Sequence, residues 1–247
     1  MNNPGRFAGL LYIIASIPGF FALMYVPGKL IVHGNAATTA MNIAAHETLF
    51  RLGIAADLTG QAIFVFVVLA LYDLFKDVNP RHALAMLTLA LVAIPIAFLN
   101  EANSLAALDA ARGADWVEVF PTAQRDLLAR LFLNLRGGGF DLAGIFWGLW
   151  LFPLGMLVYR SGFLPRFLGV LLMLGTFAYL ANSFTSLVLP QFEAAVARWM
   201  NPLQAVEIVF MLWLAVIGAK PEPAASPVLP AAGPASRSGV VREHPSR

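Results

Sequence analysis

Cysteine is absent from the 247 residues, which removes disulfides, thiolate metal sites and a cysteine nucleophile from consideration. Charge is scarce as well. Asp, Glu, Lys and Arg make up 12% of the chain against 59% hydrophobic residues, a poor fit to a soluble globular domain. The formal net charge of +2 is small and scattered, so no nucleic-acid surface is expected. Histidine is rare, four in all, with no His-x-x-x-His or comparable spacing for a metal. The hydrophobic runs lack the alternation of a β-barrel, and no duplicated three-span unit marks the inverted repeat of many transporters.

What is present is six continuous apolar runs, at 7–26, 50–71, 83–99, 142–159, 167–188 and 203–218. Each approaches the roughly 20 residues that carry a helix across about 30 Å of hydrocarbon. The predicted fold class is all-α, a polytopic membrane helix bundle with six transmembrane helices plus an interfacial amphipathic helix. The extra helix is read at 121–136, inside the long connection 104–140. There Leu127, Leu128, Leu131 and Leu135 recur at helical spacing with Arg125, Asp126 and Arg130 off the stripe. Residues 1–219 are expected to form the six-span domain, and the Pro/Ala/Ser-rich segment 220–247 a disordered tail. The first run is too long for the core of a signal peptide, and Pro27-Gly28-Lys29 offers no small-x-small cleavage site, so it reads as a retained span. Asn201-Pro202 reads as a cap and first helical residue for the last span.

Serpentine threading puts both ends of the bundle and the turns near 76–81 and 160–166 on one side. Arg6, Lys76, Arg81, Arg160, Arg166 and Lys220 edge that side; Lys29, Arg51 and Arg198 edge the other. Arg112, Arg125, Arg130 and Arg136 in the long connection dilute the contrast. The bias points to an inner membrane with cytoplasmic termini.

The polar side chains are lopsided. His46, Glu47, Arg51, Asn100, Glu101, Asn103, Asp141, Asn201 and Gln204 fall on the far side, with Asp57, Gln61, Asn182, Ser183, Ser186 and Glu207 slightly deeper. Such groups are expensive in hydrocarbon unless they meet each other, water or a ligand, so a polar cavity open to the outer leaflet is expected. His46, Phe50, Gly53, Asp57 and Gln61 share one helical face, and Glu47 and Arg51 form an i,i+4 pair beside it. Asp57 is either a proton-handling or ligand-coordinating acid, or a structural acid tied to Arg51 or to helix-packing amides. Glu207 is the second deep acid, one turn beyond Gln204. Tyr179, Asn182, Ser183 and Ser186 form a stripe whose plainest role is interhelical hydrogen bonding. Gly137-Gly138-Gly139 reads as a hinge before Asp141 as cap, and Gly144 and Gly148 as a small-residue pair that lets a helix approach closely. Trp147 and Trp150 read as facing lipid or core rather than a cofactor. A metal site built on His46 with Asp57, Glu101 or Glu207 lacks any supporting spacing, so neither metal nor cofactor is expected.

Three stretches resemble a known family: 42–58 (NIAAHETLFRLGIAADL), 145–169 (IFWGLWLFPLGMLVYRSGFLPRFLG) and 207–218 (EIVFMLWLAVIG). They are similar to the signatures of a bacterial multi-spanning group known as domain of unknown function 4386. The resemblance, covering about residues 6–218, implies an integral membrane domain of helical spans and no assigned activity.

The sequence thus points to a membrane protein binding a small amphipathic or lipid-like ligand, with the lipid bilayer as its surroundings. The candidate ligand-binding residues are His46, Glu47, Arg51, Asp57, Gln61, Asn100, Glu101, Asn182, Ser186, Gln204 and Glu207. Two alternatives stay open. One is an intramembrane enzyme acting on a lipid or isoprenoid with Asp57 or Glu207 as acid or base. The other, a proton-coupled transporter, would need a polar route through stretches 63–71, 167–178 and 208–217, which offer almost none.

Overall fold

Asn-Pro pairs open two of the membrane-crossing helices. In the computed structural model, which describes residues 3–219, Asn3 and Asn79 are extended and accept hydrogen bonds from Arg6 N at 3.1 Å and His82 N at 3.0 Å. Pro4 and Pro80 take the first helical positions, where a missing N–H costs nothing. Helix α1 (Pro4–Phe20) runs through a π-helical turn, Phe21–Tyr25, into α2 (Val26–Leu30). Val26 N–H donates to Phe21 O in that turn, immediately before Pro27, which has no N–H to offer. Then follow α3 (Ala36–Ala45), α4 (Glu47–Phe75), α5 (Pro80–Arg112), α6 (Thr122–Leu149), α7 (Leu151–Arg160), α8 (Arg166–Val188), α9 (Glu193–Gln204) and α10 (Val206–Val216).

Six stretches are long and apolar enough to cross a membrane: Pro4–Leu30, Glu47–Phe75, Pro80–Arg112, Thr122–Arg160, Arg166–Val188 and Pro190–Val216. The chain is an all-α polytopic bundle, as its apolar runs require. Its outer face keeps large apolar side chains exposed, among them Ile14, Ile17, Phe66, Leu84 and Phe177, as a lipid-facing surface does. The tail expected at 220–247 lies outside the described residues.

Both ends of the bundle meet on one side. Gly5 N donates to Ala219 O at 3.2 Å, and Ala219 N donates to Asn3 Oδ1 at 3.1 Å. The two short turns join them there, with Phe75 stacked on Phe163 at 5.8 Å. The largest apolar core fills this half, including Val67, Val68, Leu71, Met86, Leu154, Leu157, Leu168 and Phe210. A smaller core around Val26, Ile43, Phe50 and Leu108 lies toward the other side.

Local structure departs from the sequence reading in four places. The connection 27–48 is largely helical, because Asn35 Oδ1 accepts from Thr38 N at 2.9 Å and starts α3. The long connection shrinks to 113–121. Helix α5 continues to Gly113, whose φ of 72° closes it, and α6 begins at Thr122. At 1.5 Å per residue, the 33-residue α5 spans about 50 Å, well beyond a hydrocarbon core of about 30 Å. The amphipathic stretch 121–136 is helical but runs unbroken through the three glycines into the fourth span, so no hinge interrupts it. Asp141 lies inside that helix and accepts from Ser186 Oγ at 2.6 Å instead of capping. Finally, Asn201-Pro202 lies inside α9, because Asn201 Oδ1 is engaged by Asn182 Nδ2 at 2.9 Å; the break comes at Ala205.

Candidate functional site

Helices α1, α4, α6, α8 and α10 line a partly open cavity of about 220 Å³ around the middle and far part of the bundle. Small residues set its geometry. A Cβ on Gly60 would stand 3.2 Å from Ala15 O, so α1 and α4 run close together beside it. A Cβ on Gly144 or Gly148 would stand 2.6 Å from Ser183 Oγ or 2.8 Å from Tyr179 Cβ, so this glycine pair draws α8 against α6 as expected. That approach brings Tyr179 to the wall.

At the inner end sits Glu207, in the first turn of α10 just after the break at Ala205. A carboxylate in the first turn of a helix lies at the positive end of the helix dipole. Tyr12 donates its hydroxyl hydrogen to Glu207 Oε2, and Tyr179 brings its hydroxyl beside the same carboxyl. Ser16 lies one turn from Tyr12, donates to Tyr12 O at 2.8 Å, and also lines the cavity. Counting about 1.5 Å per residue from the terminal side, Tyr12, Glu207 and Tyr179 lie about 12–20 Å deep, near mid-membrane.

Asp57 is on the opposite wall, about 27 Å from the same side, with Gln61 one turn below it. It is 2% exposed, and its Oδ2 accepts no hydrogen bond. Behind it, Arg136 ties three helices together. Its Nη2 lies 2.9 Å from Glu101 Oε1 and 3.6 Å from Asp57 Oδ2, and its Nε donates to Glu101 Oε1 at 3.1 Å. The guanidinium also lies 4.6 Å from the centre of the Phe140 ring. Asn100 Nδ2 donates to Arg136 O at 2.8 Å, fixing the backbone that holds the arginine. One guanidinium faces two buried carboxyls here, and it lies closer to Glu101 than to Asp57.

The remaining walls are aromatic. Phe64 lies 5.7 Å from Tyr12 and packs edge-on to Trp150 at 5.4 Å, and Trp147 completes the side toward α6. Trp150 is 1% exposed, a core residue that also lines the cavity. None of the lining residues is basic.

Of the residues singled out from the sequence, Asp57, Gln61 and Glu207 share this cavity. Glu101 does not line it; it shares Arg136 with Asp57 and lines a smaller neighbouring void of about 20 Å³. Asn100 is buried against the α6 backbone. Asn182 and Ser186 are spent on the bonds to Asn201 and Asp141 described above, and Gln204 ends α9 away from the wall. His46, Glu47 and Arg51 stand apart at the start of α4. His46 is exposed, and Glu47 pairs with Arg51 at 2.7 Å and with Arg112 at 3.7 Å. Asp57 is therefore not tied to Arg51. Tyr12, Ser16, Phe64 and Arg136 were not singled out for the site. The only sequence signal for Tyr12 is a hydroxyl in the middle of an apolar run, and for Arg136 an arginine entering a membrane span.

The profile of the family described as Domain of unknown function (DUF4386) matches residues 7–218, and the chain belongs to that family. An uncharacterized protein of Archaeoglobus fulgidus is 32% identical over 80 residues, which is 32% of this chain. The match covers 46% of that relative, so this chain spans about half the length of the curated relative it matches. No solved structure matches.

Proposed function

Taking an integral membrane protein of a family without an assigned activity as the premise, we propose that the chain binds a small amphipathic or lipid-like ligand inside its bundle. Asp57, Gln61 and Glu207 take the ligand's polar part, and the aromatic walls take its apolar part. One observation carries this reading. Asp57 is 2% exposed and lies on the cavity wall, while the cation facing it, Arg136, stands 3.6 Å from its Oδ2 and is held closer, at 2.9 Å, by Glu101. Leaving a buried carboxyl short of donors costs about 1–3 kcal/mol, which a polar group of a ligand would offset. The cavity is small beside the roughly 300–1,000 Å³ of drug-sized sites, so it suits a headgroup or a compact molecule. Arg6, Lys76, Arg81, Arg160 and Arg166 edge the end where the first and last helices meet, which supports cytoplasmic termini in an inner membrane and a cavity toward the outer leaflet.

The test uses detergent-purified protein titrated with lipid extracted from its host membranes. A ligand at about 100 times its Kd adds about 2.7 kcal/mol, a rise in melting temperature of about 5–11 °C for a protein of this size. The rise is expected to vanish when Asp57→Asn and Glu207→Gln are combined. An equal rise in the double variant, or none in the unaltered protein, overturns the proposal.

A further inference from the structure

We infer that the ligand is a long-chain lipid taken sideways from the membrane. Its head sits in the cavity, and its chain leaves through a mouth between the first span and the α6–α8 pair. This rests on the ligand-binding reading above and names the ligand class that the cavity's opening selects.

The mouth follows from where α10 begins. Gly5 lies against Ala219 and Gly9 against Ala215, so α1 and α10 run antiparallel in a register that sets Val206, the first residue of α10, level with Pro18. Past that level the chain breaks at Ala205 and continues as α9, which packs along α8 and buries none of its residues. Among the described residues no seam joins α1 to α6, α8 or α9. Gly19 and Leu23 therefore lack the neighbour that covers Tyr12 and Ser16. Leu23 is 42% exposed, and a Cβ on Gly19 would meet no atom, yet both residues line the cavity. Across from them on α6 stands Trp147, half-buried and next to the Gly148 that meets Tyr179.

Depth decides what can enter. The first span, Pro4–Leu30, has 27 residues and is about 40 Å long. A hydrocarbon layer of about 30 Å centred on it reaches to about 35 Å from the terminal side. Gly19 and Leu23 stand about 22–29 Å from that side, so the mouth opens into acyl chains rather than water. Gly19, Leu23 and Trp147 carry no charge, and the polar groups of Asp57, Gln61 and Glu207 lie behind them. Size completes the argument. A 150 Å³ cavity holds benzene, so about 220 Å³ admits roughly eight or nine heavy atoms. An ester-linked glycerol head fills that space, and a long chain attached to it has only the mouth to leave by.

The probe is a long-chain monoacylglycerol carrying a photoreactive diazirine either beside the ester or at the tip of the chain. Its hydroxyls donate to carboxyls and add no charge. The protein is reconstituted in liposomes of its host's phospholipid, irradiated, and the labelled residues read by mass spectrometry. The ester-side label is expected on Tyr12, Ser16 or Tyr179, and the tip label on lipid-facing side chains such as Ile14 and Ile17. Gly19→Trp, or Leu23→Trp where the first does not fold, should plug the mouth and abolish cavity labelling while tip labelling persists. Gly28→Trp, also free of neighbours but outside the cavity, should change neither. Cavity labelling that survives both plugs overturns the mouth and leaves ligand binding standing. A melting shift with chainless butylglycerol, alongside no cavity labelling by the long probe, overturns the lipid class alone. Neither shift nor labelling overturns both readings.

Discussion

Replacing Arg136 with leucine tests whether the acid cluster is built into the fold. The side chain is 17% exposed and faces carboxyls that are only 2–3% exposed. Breaking a buried ion pair by removing one partner costs about 3–5 kcal/mol, because it leaves an uncompensated charge behind. Arg136→Leu strands two carboxyls on α4 and α5, and it removes the stacking on Phe140 at 4.6 Å. For a protein of this length, each kcal/mol lowers the melting temperature by about 2–4 °C, so a loss of about 6–20 °C is expected. Arg51→Leu is the internal comparison. That arginine holds Glu47 at 2.7 Å, a shorter contact than Arg136 makes with Asp57, but the two side chains are 46% and 36% exposed. Exposed pairs contribute about 0–1 kcal/mol, so its melting temperature should fall by no more than about 4 °C. Adding Glu101→Gln to Arg136→Leu should recover stability, with a coupling of about 0.5–3 kcal/mol between the two positions. The assay is thermal unfolding of monodisperse protein in one mild detergent. If Arg136→Leu melts no lower than Arg51→Leu, the buried cluster does not organise this part of the bundle.

Asp57→Asn should leave the melting temperature within about 2 °C of wild type or raise it, since Arg136 keeps Glu101 and a carboxyl lacking its own cation is removed; a loss above about 6 °C would make Asp57 a structural acid. Tyr12→Phe should cost about 1.5–3 kcal/mol in the same melt, because Glu207 loses one hydroxyl donor and keeps only that of Tyr179; an unchanged melt would mean Tyr12 holds no such bond. Gly137→Ala should stabilise by about 0.5–1 kcal/mol, as an added Cβ meets nothing and the position is helical, whereas Gly139→Ala should destabilise because its Cβ runs into Asn100. Destabilisation by Gly137→Ala as large as that by Gly139→Ala would restore the hinge that the continuous α6 replaces.

Apolar runs made the six spans legible, because crossing hydrocarbon is a demand on composition and needs no knowledge of neighbours. Helix ends were harder to read for the same reason. Nothing in hydrophobicity marks where a helix stops once it has left the membrane, and 104–112 and 122–136 continue as helices. Ala107, Leu108, Ala110 and Ala129 bury a seam between them there, even though arginines make both stretches look like loop. Caps were equally conditional. Asn3-Pro4 and Asn79-Pro80 start helices, while the same dipeptide at 201 does not, because its asparagine has a partner on α8. A local motif states what a residue can do, and tertiary neighbours decide whether it does so.

The site divides along the same line. Depth and one-sidedness follow from chain position, so Asp57, Gln61 and Glu207 could be placed near one another by counting residues along helices. Rotation and partner could not. On the sequence alone Arg51 is the obvious neighbour of Asp57, six residues back on the same helix, yet six residues are 600° of helical turn and point the two side chains apart. The cation that does reach Asp57 comes from α6 and is held more tightly by Glu101. Glu101 thus suffices to neutralise Arg136, and Asp57 adds a second buried carboxyl that the helix packing has no use for. A carboxyl left with the weaker share of one cation, with one face on a cavity, is the position on which the proposed ligand binding rests.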